Sequence, residues 1–327
     1  MASKIPGAHG DASSVEGLDT LALGEASHAE GFQTQAQGIS SHSEGSMSTA
    51  RGEDSHAEGN GTYAGGNYSH AEGDRSSAKA ESSHAEGTMT KAAGKYSHAE
   101  GGYTESNGDY SHVEGYKTTA DGKYSHAEGI MNIAIGDYSH AENGNDGDVD
   151  DPTKAGGMAS HTEGAGTRTG NFNSGDRPFA ADAYQYDNSG SWAHAEGRYS
   201  NAVGSASHSE GMGSKAVGDY SHAEGSDTNA SGAASHAEGY ETKAIGDYSH
   251  AEGKMSEAIG NYSHAENGNW HLQSNDPTKA GGVASHTEGA GTRTGKFSSY
   301  PNTPDAADTY NNDSSGQWAH AEGHYSI

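Results

Sequence analysis

The chain has 327 residues, 50 of them Gly, with 30% hydrophobic residues, 4 Phe, 3 Trp and no Cys. Its formal charge of −28 comes from 46 acidic against 18 basic side chains, which excludes the basic footprint that nucleic-acid binding needs. So small an apolar complement cannot fill a conventional globular core, and without Cys neither disulfides nor thiolate metal sites contribute.

Low hydrophobicity with high charge is ordinarily the composition of a disordered chain. A strict internal period argues instead for a solenoid, whose thin core is shared between neighbouring coils. No apolar run reaches transmembrane length, so no membrane insertion is expected, and residues 1–6 lack the apolar stretch of a signal peptide.

Residues 1–10 read as a lead-in, and coils fill residues 11–143. Through them His and Glu pairs recur every 14 residues: His28 and Glu30, His42 and Glu44, His56 and Glu58, His70 and Glu72, His84 and Glu86, His98 and Glu100, His112 and Glu114, His126 and Glu128, His140 and Glu142. Each sits in a Ser-His-Ala-Glu-Gly unit or a close variant, and Ser14 and Val15 begin the series without its His. Where Asn143 and Asn267 replace the closing Gly, the substitution marks a position that needs positive φ.

Seven residues on, each coil has a second half of related form, such as Thr242-Lys243-Ala244-Ile245-Gly246. Gly and Ser at this density make helix costly. Strand alternation places Ser/Thr and Ala on an inner face and the two remaining residues outside. Those outer residues are nearly invariant on the first strand. On the second they vary freely: Gln35 and Gln37, Lys91 and Ala93, Glu105 and Asn107, Ile133 and Ile135. Sameness on one strand alone predicts that it faces an equally repetitive partner, most economically another copy of the chain.

The rhythm breaks over 144–193, which reads as a decorated coil with inserted loops holding His161 and Glu163. It resumes over 194–267 with His194 and Glu196, His208 and Glu210, His222 and Glu224, His236 and Glu238, His250 and Glu252, His264 and Glu266. A second decorated coil follows over 268–319 with His286 and Glu288, and 320–327, with His320 and Glu322, is expected to start a further coil that is truncated or at a junction. Asp-Pro-Thr-Lys-Ala-Gly-Gly occurs at 151–157 and again at 276–282, so a longer unit has been copied twice.

Inserted loops are where solenoids carry recognition. Arg168, Phe172, Phe179, Tyr184 and Tyr186 in the first region, and Trp270, Arg293, Phe297, Tyr300 and Tyr310 in the second, are the candidate receptor-binding residues, being aromatics and Arg. Trp192 and Trp318 take the place of Tyr in ordinary coils and are expected to pack their loops onto the roll. Asp146, Asp148 and Asp150 form a weak calcium candidate, which the second copy does not keep.

These features resemble the head repeat of YadA-like trimeric autotransporter adhesins, in the Ser-His-Ala-Glu-Gly form found in phage tail and fibre proteins. The resemblance covers roughly residues 11–143 and 194–267. It implies an all-β, left-handed parallel β-roll (a β-solenoid), three of which join about one axis as a homotrimer. In the family, apolar residues line the seam; the matching positions here are the His and Glu pairs. A polar seam must be held by hydrogen bonds, His of one chain to Glu of the next, with charged His neutralising stacked Glu. Protonating all 21 His would bring −28 to −7. Deprotonation is therefore expected to weaken assembly, and stability flat from about pH 5 to 9 would contradict the ladder.

Other roles fit the ladder less well. Imidazole and carboxylate are ligands for zinc or nickel, though 18 repeats look like architecture rather than a tuned site. Acid–base catalysis lacks a unique pocket, nucleophile or oxyanion donor. Ice binding would need an outward Thr row, whereas Thr34, Thr62, Thr90, Thr104 and Thr118 fall on the inward phase. The expected protein is thus no enzyme and needs no cofactor. It is a fibre or adhesin head, on the order of 90 Å long from 18 coils at about 4.8 Å. Its place is a virion tail, a phage-like particle or a bacterial surface, where its loops meet a host-surface receptor or glycan. Unprotected solenoid ends leave open end-to-end stacking into an extracellular filament.

Overall fold

The computed structural model describes residues 10–144, 152–170, 189–266, 277–289, 291–295 and 317–322. Every regular element among them is a β-strand. The chain is an all-β parallel solenoid divided into two compact units, residues 1–155 and 156–327.

In the first unit a row of strands runs from Ser14–Leu18 and His28–Phe32 to His140–Glu142, and a second row from Leu21–Ala22 to Lys154–Ala155. Like residues pair in register from coil to coil, as in His84↔His98, Ala85↔Ala99 and Glu86↔Glu100. The second unit repeats the plan from His161–Glu163 and Arg168–Thr169 to Arg293–Thr294 and His320–Glu322. A constant step leaves no other register open, because a slip of one residue would turn the Ala row outward.

The inner face is as thin as the sequence suggests. Ala50, Ala57, Ala64 and Ala71 have no exposed surface, and the same row continues through Ala141 with Val113 the one larger apolar member. Many of the Ser and Thr that share this interior bond a carbonyl, while others, such as Thr62, Thr90 and Thr104, have no hydrogen-bond partner. Ser97 Oγ donates to the Gly94 carbonyl at 2.6 Å, closing the turn before each first strand. Ser76 Oγ donates to the carbonyls of Glu72 and Gly87 at 2.6 and 2.9 Å, tying one coil to the next. A buried hydroxyl left unbonded would cost about 1–3 kcal/mol, so the bonded positions such as Ser97 and Ser76 follow from this geometry.

The two halves of a coil differ more than their shared grammar suggests. First strands typically span five residues, as in His70–Asp74, and second strands only two, as in Ser77–Ala78. After the inner Ala of a second strand the chain bends at once: Lys79 donates to the Ala92 carbonyl at 2.8 Å.

Where the rhythm breaks, the coils continue and the extra residues leave at corners. Ile133 pairs with Lys154, a step of 21, and Ser256 with Thr278, a step of 22. His161 pairs with His194, a step of 33, and His286 with His320, a step of 34. Each decorated region therefore makes one insertion between a coil's two strands and another before the next first strand.

Candidate functional site

The alternation that buries Ala sends His and Glu to the outer face, where the parallel register stacks each column on itself. From His42 to His140 successive imidazole centroids lie 4.7–4.9 Å apart, with ring planes within 2–7° of parallel. The second unit stacks the same way from His208 to His264. Its rings tilt by 34–41° at His161–His194, His264–His286 and His286–His320, where insertions interrupt the coils.

In many of these His, Nε2 turns toward a carboxylate of its own chain. His42 lies 4.0 Å from Glu44 Oε2, and His56 lies 3.7 Å from Glu44 Oε1. His28 and Glu30 approach to 3.3 Å, and His286 and Glu266 to 3.1 Å. The imidazoles of His28, His42, His56 and His70 and the carboxylates of Glu30, Glu44 and Glu72 are 27–43% exposed in the single chain.

Burial, and then the neighbouring imidazole, hold eleven of the His below the ordinary value of 6.5, with the nearby Glu opposing: His42, His70, His84, His98, His112, His126, His194, His208, His222, His236 and His264. Within the single chain this holds these imidazoles toward the neutral form. Desolvation disfavours the charged ring, and parallel rings stacked this closely disfavour adjacent positive charges. Burial and contact with the Glu30 carboxyl raise Glu44.

The second strands carry scattered ion pairs in place of a uniform ladder. Lys91 bonds Glu105 at 2.9 Å. Glu257 sits 3.0 Å from both Lys243 and Lys279. Burial opposes its ionisation, but the two lysines together hold it below the usual carboxylate range.

Two further ladders were not anticipated. Tyr96, Tyr110, Tyr124 and Tyr138, each about half exposed, stack at 4.9 Å along one corner. Beside that corner, side-chain oxygens of Asn67, Asp109, Asp137, Asp219, Asp247 and Asn261 accept backbone N–H bonds from the preceding coil at 2.8–3.1 Å. The signal for both was present as Asp-Tyr or Asn-Tyr before Ser-His, which recurs in six coils.

Arg168 and Arg293 were expected among the inserted loops, but both lie on second strands, paired with Asn201 and Lys279. The reason is that Thr-Arg-Thr-Gly is itself a half-coil, with Thr169 and Thr294 buried where other coils have Ala. Trp192 and Trp318 do not pack down as expected. They are 63% and 81% exposed, on a corner where positive φ directs the side chain away from the roll. The inward Thr row is where the alternation put it, with Thr34, Thr62, Thr90, Thr104 and Thr118 at most 1% exposed. Phe172, Phe179, Tyr184, Tyr186, Trp270, Phe297, Tyr300, Tyr310 and the calcium candidate Asp146, Asp148 and Asp150 lie outside the described residues. Comparison with protein-family models gives no match, and comparison with curated proteins gives none.

Proposed function

We propose that the chain is a non-enzymatic fibre or adhesin head of the YadA-like kind. Three copies join through the His/Glu face, and the insertions meet a receptor or surface glycan. Its setting is extracellular, on a virion tail, a phage-like particle or a bacterial surface. The observation that carries the reading is the contrast between strands. One outer face is kept as His and Glu through every described coil from His28, while the other changes from coil to coil. A solvated face has no need of such constancy, whereas a face repeated against a copy of itself does.

The test has two parts. Analytical ultracentrifugation of the full chain is expected to give a trimer, and electron microscopy discrete rods. A monomer at micromolar concentration, or filaments of unlimited length, would sink the reading. Glycan-array binding with and without residues 171–188 and 296–316 then asks whether recognition resides in the insertions. Binding unchanged by both deletions would place it outside these two insertions.

A further inference from the structure

Imidazole and carboxylate meet along the ladder at separations that hydrogen bonding does not explain. His42, His70, His126 and His208 hold Nε2 4.0 Å from a Glu oxygen, and His264 holds it at 3.6 Å. An N–H···O bond closes at about 2.7–3.2 Å. Two ligand atoms sharing one cation at about 2.0–2.1 Å each lie roughly 3.3–4.1 Å apart, depending on the angle between them. In these five His, Nε2 is buried and has no hydrogen-bond partner. The 3.6 Å gap has the length of two metal–ligand bonds at an open angle, and the 4.0 Å gaps lie slightly beyond a tetrahedral pair.

Three donors converge where successive coils meet. One ligand atom from each of His56, Glu58 and His70 lies within 4.8 Å of the others, and His84, Glu86 and His98 repeat the arrangement. The second unit has the same trio in His236, Glu238 and His250. Two imidazoles and a carboxylate are the donors of zinc, nickel and copper, and three protein ligands leave a position open to water. The parallel rings do not yet aim both lone pairs at one point. Binding would therefore turn the rings about their side-chain bonds while the coils stay about 4.8 Å apart.

From this geometry we infer that the ladder binds borderline divalent transition ions, one between every second pair of coils, each held by the His of two successive coils and a Glu between them. Alternate occupancy follows because adjacent trios would share a His. Ions then stand about 9.6 Å apart, two coil steps. The single chain holds all three ligands, so the inference does not depend on the trimer.

The experiment uses the full chain, freed of metal with EDTA, with Cu2+ and Zn2+ as probes. Calorimetry of a variant with His56, His70, His84 and His98 all replaced by Ala is expected to show about two fewer ions per chain than the parent. Frozen-solution EPR of the Cu2+ form is expected to show coupling to two nitrogens, with dipolar broadening from neighbours about 10 Å away. Should the four-fold variant not fold, Glu58→Gln with Glu86→Gln keeps the imidazole stack and is expected to weaken those two sites at least tenfold. An unchanged ion count in the His variant, unchanged affinity in the Glu variant, or single-nitrogen spectra without broadening overturns the inference. Sedimentation of the same samples in EDTA reads association separately, so loss of the metal site and loss of the trimer are distinct results.

Discussion

Gly87 closes one Ser-His-Ala-Glu-Gly unit at φ +117°, and a Cβ placed there would stand 2.1 Å from the Gly101 carbonyl oxygen in the next coil. Ordinary carbon–oxygen contact is about 1 Å longer, so Gly87→Ala must open the ladder locally against the Gly87↔Gly101 pairing. Strain from a backbone conformation that L-residues avoid costs about 1–3 kcal/mol, and each disrupted buried bond costs a similar amount. The total is about 3–6 kcal/mol. Gly61 is the internal control. It sits at φ +67° with only Arg75 Cγ nearby, at 3.6 Å, and the same corner already holds Gln33, Met47 and Arg75 at φ 56–58°. Gly61→Ala is therefore expected to stay within about 1 kcal/mol of the parent.

Because each coil contacts only its neighbours, the damage should be local. Hydrogen exchange is the sharper assay, with thermal denaturation followed by circular dichroism beside it. Gly87→Ala should lose protection in the coils around residues 77–106 while distant coils keep theirs. Equal effects of the two substitutions would refute the stacking geometry.

Three further outcomes follow from the side-chain ladders. For the eleven lowered His the unfolded chain binds more protons between their folded value and 6.5, so stability rises with pH across that window and is lost as pH falls through it. Thermal melts in EDTA from pH 7.5 down to 5.5 should show falling Tm, the reverse of the sequence-based expectation, and a rise on acidification would contradict the stacked neutral rings. Asp109→Ala removes the acceptor of the Lys95 N–H and should cost about 1 kcal/mol at this exposed corner. Asp109→Asn should be nearly silent, since Asn67 and Asn261 already serve in that role; chemical denaturation of the pair tests this. Glu257→Gln weakens an ion pair with Lys279, whose side chain is only 7% exposed, and a loss of about 2 kcal/mol is expected in the second unit by the same measurement.

The period fixed most of the architecture in advance. A constant step dictates in-register parallel stacking, and the alternation of Ser, Ala and Gly assigns the inner face and the positive-φ closing position. The corners were harder to read, because their residues vary and carry no composition signal of left-handed backbone. Tyr68, Tyr96, Tyr110, Tyr124 and Tyr138 all lie at φ 57–61°, a conformation that costs a bulky L-residue about 1–2 kcal/mol. The ladder imposes it, for each N–H there donates to the coil before, as Tyr110 does to the Lys95 carbonyl at 2.8 Å. Likewise the pairing of His with its own chain's Glu depends on side-chain rotation, which spacing does not encode.

The Tyr column also bears on what the His column is for. Both stack like rings at nearly 5 Å along neighbouring coils. Yet the Tyr column accepts Ser40, Asp54, Ser82, Ala206 and Ala234 at the same positive-φ corner with the backbone unchanged. Stacking inside one chain therefore tolerates interruption. The His column has none in any described coil from His28 to His320. Ser, Ala and Gly are less constant, with Ala193, Val113 and Asn143 among the exceptions, and they have internal reasons: a carbonyl to bond in many coils, a narrow core, a backbone contact. His and Glu have no internal reason of that strength, since their mutual contacts are long and their faces are half open. A column that never breaks where its neighbour breaks freely is what the proposed second copy or bound ion would require, and the chemistry of imidazole and carboxylate fits both.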